Sequence, residues 1–251
     1  MCLIVFAWKV HPDYPLIFAS NRDEFYNRPT LEAHRWPDHK NIYGGRDELA
    51  NGTWLAVNDN KKLAAVTNYR DLSDINPKAK SRGELPVDFL IGKKDGLEYL
   101  KTIHEKADEY NGFNLLTFTE EEALHYSNDE KKINLLKPGI HGLSNAVLNT
   151  PWPKVLRAKA KLEEIIGDRF EHKDLLDLMQ DQWLASDQDL PTTGLSYAKE
   201  KALSAMCIRT EGYGTCCSTI VTKNVNGNLK FTEQSYSVGN RKGKTITTQF
   251  D

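Results

Sequence analysis

A chain of 251 residues with 39% hydrophobic content is long enough for one sizeable core, as a single large α+β domain or two small ones. Its 33 basic and 35 acidic residues give a formal net charge of -2, and the basic residues are scattered, so nothing electrostatic favours nucleic acid or an acidic membrane surface as a partner. No apolar run approaches the roughly 20 residues needed to span a bilayer, and the apolar start is too short for a signal peptide and lacks a basic n-region. The expectation is a soluble, cytoplasmic protein without integral membrane association, whose four cysteines (Cys2, Cys207, Cys216 and Cys217) stay reduced.

Residues 3–8 form a continuous apolar run, the pattern of a strand buried on both faces. The turn His11-Pro12-Asp13-Tyr14-Pro15 leads into a second strand over 16–20, so the chain opens on a hairpin. A second hairpin pairs 53–57 with 63–67 around Asn58-Asp59-Asn60-Lys61. Helices are expected over 83–91 and 96–110, the latter capped by Asp95. Strands over 113–119 and 123–127 flank an acidic turn, and amphipathic helices cover 152–166 and 172–185. The end returns to β: 205–209, then 215–224 and 229–237 around Asn226-Gly227, the strongest short hairpin signal. Alternation would send Cys216 and Cys217 to opposite faces, one thiol in the core and one partly exposed. Strand runs and helix runs alternate in blocks without repeats or a convincing linker, which predicts antiparallel sheets with helices packed outside, one layered α+β domain over 1–251.

If the first turn centres near Pro12, residues whose numbers sum to about 24 face each other, and Cys2 lies level with Asn21, Arg22 and Asp23. Trimming of Met1 before a small second residue would add a free α-amine to that strand end. Each group has a use there. The thiol is a nucleophile whose pKa a nearby cation such as Arg22 lowers. The α-amine, with an unperturbed pKa of about 8, can act as general base. Asp23 can orient the amine or hold Arg22. Asn68, at the mouth of the second hairpin opposite Thr53 and Trp54, can donate its side-chain amide to an oxyanion, and Asn145 and Asn149 are similar candidates. Arg209 ends a buried-looking strand, where a charge usually has a partner or ligand. Asn21, Glu24, Trp54, Asn149 and Arg209 complete the set as candidate substrate contacts. The seven histidines show no metal-type spacing, and neither a GxGxxG phosphate cradle nor a GxSxG elbow occurs, so no metal and no cofactor is required.

The chain resembles the NRDE-motif family, also called the transport and Golgi organisation protein 2 family. The resemblance is carried by Met1-Cys2, by Asn21-Arg22-Asp23-Glu24-Phe25-Tyr26 with Arg28-Pro29, and by Gly52-Thr53-Trp54-Leu55. It continues through Leu63-Ala64-Ala65-Val66-Thr67-Asn68-Tyr69, Arg82-Gly83-Glu84-Leu85 and Tyr110-Asn111-Gly112-Phe113-Asn114-Leu115. It ends with Gly142-Leu143-Ser144-Asn145, Pro151-Trp152-Pro153-Lys154 and Tyr213-Gly214-Thr215. Cys216 is a departure, standing where the family commonly carries arginine. The family is in turn similar to N-terminal-nucleophile hydrolases of the choloylglycine hydrolase and penicillin V acylase branch. That likeness implies an αββα four-layer sandwich, antiparallel sheets between helical layers, with catalytic roles on Cys2, Arg22, Asp23, Asn68 and Asn145, and Arg209 as the counterpart of the branch's last arginine. It implies hydrolysis of a non-peptide amide in a small molecule. Members in animals are implicated in haem trafficking and in mitochondrial or lipid metabolism, which implies an alternative: a non-catalytic carrier of haem or another apolar metabolite, with mitochondrial association in a eukaryote.

Overall fold

The structure, a computed structural model, describes residues 2–71, 75–237 and 241–251. It is α+β, with two antiparallel sheets and five α-helices among the described residues. The chain divides into two compact units, one from Met1–Asn27 with Pro138–Asp251 and the other from Arg28–Lys137.

The first unit holds a six-stranded sheet built from β1 (Cys2–Trp8), β2 (Leu16–Phe25), β10 (Gly139–Leu143), β11 (Tyr213–Lys223), β12 (Leu229–Ser237) and β13 (Arg241–Phe250), in the order β10-β1-β2-β11-β12-β13. Its opening hairpin has the expected register, Cys2 opposite Arg22 and Leu3 opposite Asn21. β2 runs five residues past its expected end, because β11 pairs with it as far as Phe25. A bulge between Thr215 and Cys217 leaves Cys216 without a partner residue, so that Thr215 pairs with Asp23 and Cys217 with Arg22. Gly227, at φ 82°, makes the β11–β12 turn that the Asn-Gly pair predicts.

Odd-numbered residues of the hairpin, Leu3, Val5, Ala7, Ile17 and Ala19, face Val155, Ala158 and Leu162 of α3 (Pro153–Ile166) and Leu175, Leu176 and Met179 of α4 (His172–Met179). α4 stops six residues short of the sequence expectation, where Gln180 leaves helical geometry and Arg157 and Lys161 of α3 bind Asp181. Close contact of α3 with β10 depends on Gly142: a Cβ there would lie 2.6 Å from Val155 Cγ1 and 3.3 Å from Lys159 Cγ. Gly142→Ala is therefore expected to cost about 1–3 kcal/mol by overpacking. An unchanged urea midpoint would show that the helix backs away freely.

α4 also buries His172 between two hydroxyls, Nδ1 to Thr232 Oγ1 and Nε2 to Thr222 Oγ1, both 2.9 Å. Burial, aided by the Lys230 charge, pushes the imidazole pKa down to about 3. The folded protein thus keeps this ring neutral where the unfolded chain, with a pKa near 6.5, takes up a proton. Stability conferred by the neutral ring is present at pH 7 and lost as pH falls below about 6.5 toward 3. Between pH 7 and pH 5 the loss is about 2 kcal/mol. Urea titrations of wild type and His172→Gln at both pH values check this, since parallel losses in the two proteins would assign the effect elsewhere.

The second unit is a seven-stranded meander whose strands follow chain order: β3 (Thr30–Arg35), β4 (Ile42–Asp47), β5 (Leu55–Asn58), β6 (Leu63–Asn68), β7 (Phe113–Phe118), β8 (Ala123–Ser127) and β9 (Lys132–Leu135). The β5–β6 hairpin pairs about residue 60, as the sequence predicts. One face packs Ala56, Ala64, Val66, Leu115 and Leu124 on α1 (Glu84–Ile91) and α2 (Gly96–Glu105). Asp95 caps α2 by accepting from the Glu98 amide at 2.7 Å. A 3-10 turn over Ala107–Glu109 ends the segment that the sequence reads as one longer helix.

The strand expected near the end of the helical region is absent. Residues 205–209 do not make a strand: the preceding segment is helix α5 (Tyr197–Leu203), and of the supposed strand only Arg209 forms an isolated bridge, to Gly214. The backbone of this segment is engaged locally, with Thr215 N donating to Ile208 O at 3.0 Å and Cys207 N to Asp181 O at 2.8 Å. Among the described residues no helix is long and apolar enough to cross a membrane.

Candidate active site

The site expected around Cys2 lies in the first unit, at the end of the sheet where β1 begins and β2 ends. Pleating puts Cys2 and its direct partner Arg22 on one face and Asn21 and Asp23 on the helix-bearing face. Arg22 and Asp23 are both buried, at 5% and 1% exposure, where a charge is costly unless compensated.

Asp23 is held from β11. Thr215 Oγ1 donates to Asp23 Oδ1 at 2.6 Å and accepts from Ile208 N at 2.8 Å, which ties the carboxylate to the segment after α5. Tyr213 donates its phenol to the Asp23 carbonyl at 2.9 Å. Burial pushes the Asp23 carboxyl up, while Lys154 and the Thr215 hydroxyl pull it down. Burial likewise pushes the Tyr213 phenol far up, keeping it a donor at any working pH.

Cys2 is half-buried with a free thiol. Arg22 pulls the thiol pKa down, as expected, but the net shift is upward. Burial raises the thiol and Asp23 adds to the rise, and the opposing pull of the N-terminal amine, the Asp23 backbone and the Arg22 guanidinium does not offset them. The resting group is therefore a thiol and requires a base to attack. Removal of Met1 lies outside the described residues.

The loop after β10 closes the site. Ser144 donates to the Cys2 carbonyl at 3.1 Å and to Asn145 Oδ1 at 3.4 Å. Asn145 is 1% exposed, and with its oxygen turned to Ser144 the amide nitrogen is the donating end. Asn149 does something else. At φ 62°, it turns the loop, its Oδ1 accepts from Gly142 N at 3.0 Å and Lys159 Nζ at 3.3 Å, and its Nδ2 meets His141 Nδ1 at 3.1 Å. The substrate role considered for Asn149 gives way to that of a loop clamp.

Asn21 needs a similar correction. Its side chain is fully buried, donates to Met179 O and Met206 O at 2.8 Å each, and accepts from Ser218 Oγ at 2.5 Å, so both donors are spent and it pins structure out of a ligand's reach. Glu24 is half-buried, with Oε1 accepting from the next backbone amide, Phe25 N, at 2.9 Å. Arg209 is exposed and does not end a strand, so the burial argument for it fails. Asn68 and Trp54 belong to the second unit, where Asn68 is the exposed last residue of β6 and Trp54 is buried just before β5.

Ser144, Thr215, Tyr213 and Lys154 were not singled out by hairpin register. Their signal lay in the family motifs, which contain all four. Cys216 is half-buried and Cys217 buried, the expected pairing of a partly exposed and a core thiol, though the bulge and not regular alternation sets it, and none of the four cysteines is in a disulfide.

The chain is 35% identical to the Transport and Golgi organization protein 2 homolog of Bos taurus, over 94% of this chain and 93% of that one. The Homo sapiens homolog of the same name is 36% identical over the same shares. Among solved structures, a Caenorhabditis elegans N-acylethanolamine-hydrolyzing acid amidase ortholog superposes with a TM-score of 0.51 at 11% identity, covering 87% of this chain and 92% of that one. That likeness shows a shared fold and nothing more. The sequence profile described as Transport and Golgi organisation 2 matches residues 1–238, and the chain belongs to that family.

Proposed function

We propose that the protein is an N-terminal-nucleophile amidohydrolase of small-molecule acyl amides, with Cys2 as nucleophile. The observation that carries this reading is the register that sets Cys2 opposite Arg22 beside an Asp23 anchored by Thr215. Once Met1 is removed, the Cys2 amine takes the thiol proton as Sγ attacks the amide carbonyl. The oxyanion is stabilised by the Asn145 amide. The amine then passes the proton to the leaving nitrogen, the C–N bond breaks, and water hydrolyses the thioester on Cys2. The raised thiol pKa supports this concerted transfer over attack by a preformed thiolate. Four free thiols support a reducing compartment, and we place the activity in the cytoplasm.

The test has two parts. Intact mass of the purified protein reports whether Met1 is absent; quantitative retention defeats the free-amine mechanism. A panel of acyl amides that includes N-acylethanolamines is then screened for turnover, with acid quenching to trap an acyl group on the Cys2 peptide. A thioester there is the expected result.

The second reading, a carrier of haem or another apolar metabolite, is favoured by the same raised thiol and by Cys216 in place of the family's arginine. Absence of turnover together with a haem Soret shift that persists in Cys2→Ala would select it.

A further inference from the structure

Lys154, in the first turn of α3, is 2% exposed, and its Nζ donates to Leu203 O at 3.1 Å. A buried ammonium is costly unless an anion faces it. The segment that receives Lys154 is the one that fixes Asp23. Within residues 203–208, Leu203 O binds Lys154, Met206 O binds Asn21, and Ile208 N binds Thr215, whose hydroxyl holds Asp23 Oδ1. Asn21 and Asp23 share the sheet face on which α3 packs. Three side chains are thus moored to one stretch of backbone, and the buried cation and buried carboxylate lie on the same side of the sheet.

We propose that Lys154 is a counter-charge that, together with the N-terminal amine, keeps Asp23 ionised in this buried corner, and so is a positioning residue for Cys2. The inference rests on the amidohydrolase reading for its purpose, but its electrostatics stand without turnover. Other groups face Asp23 as well. Glu24 follows it on β2, Cys2 lies on β1, Tyr213 and Cys216 on β11, and Tyr26 beyond β2. Glu24 opposes ionisation, and the N-terminal amine, Lys154 and the Thr215 hydroxyl assist it. Removing Lys154 leaves only the amine and the hydroxyl against burial and Glu24, so the Asp23 titration moves toward neutrality and Cys2, which feels the Asp23 charge, reports it.

The experiment follows the rate of Cys2 alkylation by iodoacetamide from pH 5 to 10, read by mass spectrometry of the Cys2 peptide in the full chain. Wild type should show only the inflections of the thiol and of the α-amine at about pH 8. Lys154→Met should add a further inflection below the amine, between pH 5 and 7, with alkylation at pH 6 about tenfold above wild type as the neighbouring carboxylate loses its charge. Lys154→Arg should keep the wild-type profile, and Lys154→Met with Asp23→Asn should lose the added inflection. A Lys154→Met profile that superimposes on wild type overturns the proposal, as does an added inflection that survives Asp23→Asn. Should Lys154→Met fail to fold, recovery of folding in the double variant supports the pairing, and failure of both variants assigns Lys154 to packing and overturns it. Absence of amide turnover in wild type would count against the hydrolase reading only, because alkylation reads the thiol directly.

Discussion

Cys2→Ala is expected to lower kcat at least about ten-thousand-fold on any acyl amide that the wild-type protein hydrolyses. Cys216 is also a half-buried thiol near Arg22 and Asp23, but only Cys2 gains an α-amine on removal of Met1. Cys2→Ser keeps a nucleophile of the same connectivity but a far less acidic one, and should retain a small residual rate that Cys2→Ala lacks. The pH profile adds a second constraint. Burial holds the thiol protonated around neutrality, so the rising limb should follow an amine with a pKa near 8 and not the thiol. Steady-state kinetics on wild type and both variants decide the matter; a kcat for Cys2→Ala within tenfold of wild type would remove Cys2 from the chemistry.

Asn21→Leu is expected to destabilise the protein by about 4 kcal/mol, because it strips partners from the buried Met179 and Met206 carbonyls and the Ser218 hydroxyl without changing the volume much. At this size, Tm should fall by roughly 10 °C. Asn21 joins β2 to the end of α4 and to the 203–208 segment, one residue from Arg22, so the loss should be felt as one cooperative unfolding shift. Asn21→Asp tests the donor side alone: it keeps an acceptor for Ser218 but cannot donate to two carbonyls, and should cost as much or more. A shift under 1 kcal/mol in urea unfolding of Asn21→Leu would mean that these bonds are replaced by solvent or repacking.

The first hairpin was legible because a six-residue apolar run and a Pro-rich turn leave only one register that buries both strands, and that register brought Cys2, Arg22 and Asp23 together. Asn21 shows the limit of the same argument. Register gives its position but not its face, and on the helix side its amide is taken by backbone carbonyls. β3, β4 and β13 escaped detection for a common reason. β3 and β13 are edge strands with exposed side chains along much of their length, and β4 carries Gly44 and Gly45, so alternation is weak in all three. The strand misread at 205–209 is an apolar segment buried as irregular chain, whose backbone bonds go to Asp181 and Thr215 instead of a ladder. Lys154 could not be placed by periodicity, since a lysine in the first helical turn normally reads as solvent-facing.

The bulge at Cys216 gives the sheet a seam in its numbering. On the N-terminal side of it β11 pairs with β2 on residue numbers summing to 238, and on the C-terminal side on numbers summing to 239. Removal of one residue is tolerated in a strand only where such a mismatch already exists, because anywhere else it turns every following side chain to the wrong face. Deletion of Cys216 would therefore leave every β11–β2 pairing on both sides of the bulge intact, and a relative with a chain shorter by one at this point would keep the same corner.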